Sequence, residues 1–503
     1  MGRAKGWHKK NSLWDADRDR NIVAEGAATG TEVGIDASAL IRKARGPIVY
    51  SLVDNADGAF KIDPKTGVVT VADGSLLDYE TTQHHTIRVK ASDGHKAVYE
   101  HFHIRVADRP EAELISAAPD GRAVGGDSVD LSADGRFVAF RSSSPDLIPG
   151  DNDDEFSSDV FVRDRQTGSV ERVSMQADGS GGADAFTPAV SADGRYVAYI
   201  GFASTIVAGD TNDTADVFVF DRVTQTTKRV SVASDGQEGN DYSGISDFAE
   251  APSLSADGRF VAFESRASNL VAGDTNPGHD IFVHDQQTGT TERVSVASNG
   301  AQSNGWSHDP SISADGRYVT YMSFASNLVP DDTGRAGDVF LYDRLTGTTE
   351  RVSETRSGRE ATDNSGEAEI SANGRFVVYS SYASNLVRGD TNGVPDIFVL
   401  DRATGVTERV SLRNDGAQFT RGSFSPEISA DGRYVTFANE ASDIVTGPVN
   451  GDREVFLYDR HTDTLARVDR GFFPNPSISD DGRHLAYTKD SDVFVAQPGD
   501  FFI

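Results

Sequence analysis

Three loops of this chain repeat one arrangement of hard oxygen donors. Asp210-Thr211-Asn212 is followed by Asp216, Asp274-Thr275-Asn276 by Asp280, and Asp390-Thr391-Asn392 by Asp396, the outer acids always six positions apart. Carboxylate and amide oxygens at alternate positions of a tight loop, with a further acid heading the next strand, are the donor set that Ca2+ requires. Cation binding is therefore the chemistry expected here. Asp151, Asp153 and Asp159 form a longer variant, Asp331 with Asp338 a weaker one, and the stretch from Asn450 to Glu454 departs furthest. The same residue types also close Asx-turns, in which side chains bond loop amides and arginines such as Arg222 and Arg402 balance the charge. The spacing alone leaves both readings open.

The loops belong to a repeat, and the repeat predicts what must position them. Ser-Ala-Asp-Gly-Arg or a close variant begins at Ser132, Ser191, Ser255, Ser313, Ser371, Ser429 and Ser479, with three successive intervals of 58 residues. Each copy leads into alternating apolar residues such as Phe260-Val261-Ala262-Phe263, the period of a strand. An acidic loop follows, then a strand such as Asp280 to Asp285, a Thr-Gly turn and a last strand such as Thr291-Glu292-Arg293-Val294-Ser295. Four short strands per copy make one blade of a β-propeller, and Asp-Gly suits turns that need a positive φ. The last copy lacks its fourth strand. Glu113-Leu114-Ile115-Ser116, ahead of the first copy, has the right pattern to supply it and close a ring of seven blades, removing exposed edges.

Before the repeats, short strands separated by turn residues (Ile22 to Gly26, Gly30 to Gly34, Ile48 to Leu52) predict a β-sandwich of about ninety residues. The expected organisation is an all-β chain: a tail over 1–20, a sandwich over 21–108, a linker over 109–112, a seven-bladed propeller over 113–496 and a tail over 497–503.

Composition excludes some functions. In 503 residues, 78 Asp plus Glu face 48 Lys plus Arg, a formal charge of -30 that repels nucleic acid and anionic lipid. Cysteine is absent, so neither disulfides nor thiolate metal sites are available. No stretch approaches the ~18 apolar residues of a membrane span, and no serine-hydrolase elbow, zinc-protease helix, phosphate loop or dinucleotide fingerprint occurs. A non-enzymatic protein is the expectation. His101 and His103 share a strand face and are read as solvated, while Trp306 and His308 stand as single non-repeating candidates for chemistry near a propeller channel.

Two family resemblances sharpen this picture. The repeats resemble the WD40-like repeats of the TolB type, which implies the fold and no activity. Phe60-Lys61-Ile62-Asp63, Thr66 to Val71, Leu77-Asp78-Tyr79-Glu80 and Ile87 to Gly94 look like a cadherin repeat, which implies Ca2+ bound through Glu25, Asp78, Glu80 and Asp93; the late motif Ser92-Asp93-Gly94 departs from the family's Asp-x-Asp pair. Asp15, Asp17 and Asp19 stand where the linker of a preceding repeat would lie. The final Asp500-Phe501-Phe502-Ile503 resembles the tails of type I secretion substrates. Together these imply a Ca2+-binding adhesion or recognition protein, extracellular or at the cell surface, or else periplasmic, that binds a protein or glycan on its loop face. The rival expectations are a glycan hydrolase or lyase acting at the central channel, and an interaction scaffold of the TolB type in the cell envelope.

Overall fold

The structure is a computed structural model that describes residues 11–16, 21–27, 29–79, 81–107, 112–148, 157–179, 181–244, 251–333, 336–440, 453–471, 475–498 and 501. The chain divides after residue 111 into two compact units.

The first unit is a two-sheet sandwich of β1 (Ser12–Asp15), β2 (Ile22–Ala24), β3 (Glu32–Leu40), β4 (Val49–Asp54), β5 (Phe60–Ile62), β6 (Val68–Val71), β7 (His84–Ser92) and β8 (Ala97–Ala107). One sheet has the order β1-β3-β6-β5 and the other β2-β8-β7-β4. Alternate residues meet between the sheets: Val33, Ile35 and Ala37 from one, Ile87, Val89, Ile104 and Val106 from the other, all buried. Burying one face of each strand is what the period-two pattern demands. The expected tail over 1–20 contains a strand of this sandwich, because β1 pairs with β3 and places Leu13 in the core.

The second unit contains seven four-stranded antiparallel sheets, an arrangement consistent with propeller blades. In the fourth, Ser307–Ile312, Tyr318–Ser323, Asp338–Asp343 and Thr348–Arg351 pair in sequence order. Its two middle strands are apolar on both faces, with Val319, Tyr321, Val339 and Phe340 buried, because neighbouring sheets pack on each side. The seventh sheet joins Ser477–Ile478, Leu485–Lys489 and Asp492–Ala496 to Glu113–Leu114, with Phe494 opposite Leu114 and Val495 opposite Glu113.

The repeated motifs are the joints between sheets. In the Ser-Ala-Asp-Gly-Arg turn, Ser313 Oγ donates to Asp315 Oδ1 at 2.7 Å and the Arg317 N–H donates to the same oxygen at 3.0 Å. The guanidinium then grips Asp343 at the end of the third strand, Nε and Nη2 lying 2.9 and 2.7 Å from its two oxygens. The arginine that follows the equivalent aspartate, Asp401, in the next sheet reaches backward: Arg402 donates to Glu350 of the preceding sheet at 2.8 Å and lies 4.4 Å from the Tyr318 ring centroid. Charge-assisted and cation–π contacts thus join adjacent sheets.

The turn glycine is required twice over. Gly316 has φ +71°, and a Cβ there would stand 2.1 Å from the Phe260 ring of the preceding sheet. The same contact recurs from Gly194 on Phe137 through Gly482 on Tyr434, and Gly135 of the first sheet meets His484 of the seventh. Gly316→Ala should therefore destabilise this unit by about 1–3 kcal/mol through strain and overpacking, read as a lower urea midpoint; an unchanged midpoint would refute the close-packing role.

Candidate binding site in the central cavity

The loops read as Ca2+ cages hold a positive charge that belongs to the chain. Arg229 Nη1 lies 3.2 Å from Asp210, 3.0 Å from Asp216 and 2.9 Å from Glu238. Arg409 Nη1 lies 3.1 Å from Asp390, 3.0 Å from Asp396 and 2.9 Å from Gln418 Oε1. Arg293 stands likewise between Asp274 at 3.0 Å and Asp280 at 3.4 Å. Each of these arginines comes from the Arg-Val-Ser stretch of the fourth strand, where the serine completes the site: Ser231 and Ser411 donate to Asp216 and Asp396 at 2.5 Å. Asn212 and Asn392 turn their amide nitrogens toward Asp216 and Asp396, at 3.3 and 2.9 Å, and Asn276 donates to the Ser303 carbonyl at 3.0 Å. A guanidinium among the acids occupies the place that the spacing gave to an ion, and a second cation there would meet its repulsion. Asp159 accepts from Ser174 and faces Arg172 at 3.4 Å; Asp151 and Asp153 lie outside the described residues. In the fourth sheet Asp332, rather than Asp331, lies together with Asp338 and Glu360.

The acids of the first unit fall at two ends of its sandwich. The Glu25 N–H donates to the Ala107 carbonyl and the Gly26 N–H to the Leu77 carbonyl, which brings Glu25 beside Asp78. Asp93 sits beyond the other end of β8, eleven residues away along the strand, roughly 30 Å at the rise of a strand. Its carboxylate accepts from the N–H groups of Lys96, Arg45 and His95 at 2.6 to 2.9 Å, which hold its pKa down to about 2. Asp78 accepts from the Thr81 N–H and hydroxyl, and Glu80 lies outside the described residues.

The feature that spacing did not reveal is at the centre of the sheets. Asp130, Val190, Ser253, Ser311, Glu369, Glu427 and Ile478, one from the first strand of each sheet, line a common cavity. First strands have a free inner edge, whose N–H groups need partners. Neighbouring sheets supply them: the Val190 N–H donates to Asp130 at 2.7 Å, the Ile312 N–H to Ser253 Oγ at 3.1 Å and the Ile370 N–H to Ser311 Oγ at 3.2 Å.

Five of these strands break register in a β-bulge. Each bulge holds a polar, non-glycine residue in the left-handed region: Ser128 at φ 49°, Thr187 at 45°, Asp309 at 59°, Glu367 at 50° and Ser425 at 48°. Three of the five precede a proline, which favours extended backbone. A bulge re-aims its side chain, and left-handed strain costs about 1–3 kcal/mol unless neighbours enforce it. Here the Ala368 N–H donates to Asp309 at 3.1 Å and the Ser425 N–H to Glu367 at 2.9 Å. All five side chains line a cavity of about 530 Å³, whose wall also carries Met322, Phe324, Tyr382 and Phe424. Phe324 and Tyr382 directly follow the second strands of their sheets and remain 41% and 48% exposed.

Enclosure by protein and mutual repulsion push these acids upward. Burial, then Glu367, raises Asp309 to about 7; burial, and Asp309 beside it, raises Glu369 to about 8; burial raises Asp130 to about 6. Glu427 is held well above the ordinary carboxyl range by burial and by Glu369. Near neutral pH the cavity therefore presents carboxylic acids that donate as well as accept, on the same three sheets as its aromatic side chains. A repeat-by-repeat comparison of the residues two to four places ahead of each Ser-Ala-Asp-Gly-Arg would have singled out Asp309, Glu367 and Glu369, but no local pattern announces a bulge.

Residues 22–106 match the family described as Cadherin domain. No curated protein matches the chain in sequence. Among solved structures the chain is similar to an oligogalacturonate lyase in complex with manganese, at 15% identity and TM-score 0.47 over 73% of this chain and 87% of that one. It is also similar to a putative TolB from Agrobacterium tumefaciens (16%, 0.38, over 66% and 94%) and to the β-propeller domain of the Trilobed protease from Pyrococcus furiosus (12%, 0.43, over 84% and 94%). At such identities the likeness concerns fold alone. No helix among the described residues is long and apolar enough to cross a membrane. The protein is thus a cadherin-like domain followed by an array of seven four-stranded antiparallel sheets consistent with propeller blades.

Proposed function

We propose that this is an extracellular recognition protein whose seven sheets close into a seven-bladed ring and bind a neutral glycan in the central cavity. The ring of strained bulges carries the reading. Five sheets each hold a polar residue in an unfavourable backbone conformation, and all five face one space. Strain repeated at one place is retained where it positions groups for a ligand. Closure is supported by the seventh sheet, which takes its fourth strand from Glu113–Leu114 and packs His484 on Gly135.

The chemistry of the cavity favours a hydroxyl-rich, uncharged ligand. Aromatic faces at Phe324, Tyr382 and Phe424 offer stacking surface for the C–H face of a sugar ring, while acids and hydroxyls lining the same cavity pair with its hydroxyl groups. Enclosed acids and a charge of -30 disfavour an anionic chain. The cadherin-like unit acts as a spacer, with Ca2+ at the end that carries Glu25 and Asp78.

Titration calorimetry against soluble dextran, xylan and laminarin, with polygalacturonate and alginate as anionic controls, tests the reading. Binding of a neutral polymer should weaken about 10-fold in Tyr382→Ala, the loss expected for an aromatic anchor. No binding by any neutral polymer, or equal binding by Tyr382→Ala, would overturn it. Acids that hold protons near neutrality also suit general-acid catalysis, which supports glycan cleavage as a second reading; new reducing ends after incubation with the bound polymer would decide for it.

A further inference from the structure

We propose that Glu264, His279 and His308 bind one divalent transition-metal ion between the third and fourth sheets. The inference is independent of the glycan reading.

Glu264 lies near the end of the second strand of the third sheet, Phe260–Ser265, and His279 directly precedes its third strand, Asp280–Asp285. His308 comes from the first strand of the next sheet. The three side chains are 2%, 6% and 2% exposed. Glu264 Oε2 stands 3.1 Å from His308 Nδ1, and Glu264 Oε1 stands 3.4 Å from His279 Nδ1. One ligand atom from each residue falls within 4.8 Å of the other two.

These separations are those of ligands around a metal. Bonds of ~2.0–2.1 Å in a tetrahedron place neighbouring ligand atoms about 3.3 Å apart. The atoms Glu264 Oε1 and His279 Nδ1 are buried, face each other and make no hydrogen bond. Buried polar atoms left in that state are costly, and an ion between them removes the cost for both. Two imidazoles and one carboxylate are a borderline donor set that suits Zn2+, Mn2+, Fe2+ or Co2+ and suits Ca2+ poorly.

The surroundings are built for a closed site. Tyr242 and Trp306 flank His279, with ring centroids at 5.7 and 5.9 Å, and His279 is buried. The repeat also marks the residues as particular to this place. At the position of Glu264 the other sheets carry Arg141, Ile200, Met322, Ser380, Ala438 and Thr488, and at that of His279 they carry Ser158, Ala215, Gly337, Pro395, Arg453 and Ser491. An ion held here would tie two sheets together one residue before Asp309, whose bulge faces the central cavity.

The test uses the full chain, stripped with chelator and titrated with Co2+ alone. We expect one bound equivalent with visible d–d bands, displaced by Zn2+, and the same behaviour in His101→Ala/His103→Ala. His279→Gln and His308→Gln should each weaken binding by more than the ~10–100-fold that follows loss of an outer-shell partner, with far-ultraviolet circular dichroism confirming the fold. Failure of the wild-type chain to take up an equivalent would overturn the proposal whether or not the variants fold. So would folded variants that keep the wild-type spectrum, which would leave a metal-free cluster of one carboxyl and two imidazole groups.

Discussion

Replacing Arg229 with methionine should destabilise the seven-sheet unit by about 3–5 kcal/mol, the cost of breaking a buried ion pair from one side. Asp216 is fully buried and Asp210 nearly so, and with Glu238 they share one guanidinium nitrogen. Burial already pushes both aspartates upward, and Arg229 opposes the shift. Without the arginine their values rise further, so the deficit should shrink as pH falls and the acids take up protons. Millimolar Ca2+ should restore part of the loss, because the variant frees the oxygen set that the loop spacing suggests. In the wild-type chain Ca2+ should raise the transition of the cadherin-like unit and leave that of the seven-sheet unit in place. Urea melts with EDTA or Ca2+ separate the cases. Superimposable wild-type and variant curves would remove the guanidinium from its role, and a Ca2+-dependent rise of the wild-type seven-sheet transition would return an ion to these loops.

The second large effect is a fall in stability with rising pH. A carboxyl whose folded value exceeds its unfolded value binds more protons in the folded state between the two, so stability present at low pH is lost as pH rises. Unfolded Asp and Glu titrate near pH 4, whereas Asp130, Asp309 and Glu369 are raised to about 6, 7 and 8. The decline should therefore run from about pH 4 to about pH 8 and flatten above. Glu369→Gln copies the protonated acid, still able to accept from Ser311. It should match the wild-type melting temperature at pH 5 and exceed it by roughly 2–5 °C at pH 9. Glycan affinity should fall over the same window as the acids lose their donor protons. A wild-type profile that is flat from pH 5 to 9 would show that water in the cavity screens the acids.

The sequence carried the architecture in plain view. A repeat that ends each Ser-Ala-Asp-Gly-Arg turn with alternating apolar residues announces strands with one buried face, where the middle strands in fact bury both, and the missing last strand points to residues 113–116, of which Glu113 and Leu114 pair with Val495 and Phe494. These features are local, set by side-chain period and turn chemistry, so they are legible one segment at a time. The cadherin-like motifs were equally local and mark residues 22–106. Cation binding in the loops was legible only in part. Spacing identified Asp210 with Asp216 and Asp390 with Asp396 as pairs converging on a positive charge, but Arg229 and Arg409 come from strands a dozen residues further on. Their arrival depends on the pairing of the third strand with the fourth.

The site itself belongs to the tertiary structure. Asp309, Glu367 and Ser425 face one cavity because their strands bulge and because seven sheets bring their first strands together, and neither event leaves a mark within any single repeat. Glu264 and His308 are 44 positions apart and meet across two sheets at 3.1 Å. Neighbours along the chain set strand period, turns and the order of units. Packing decided which charges face one another, because distance and dielectric, which set their energies, exist only once the sheets have come together.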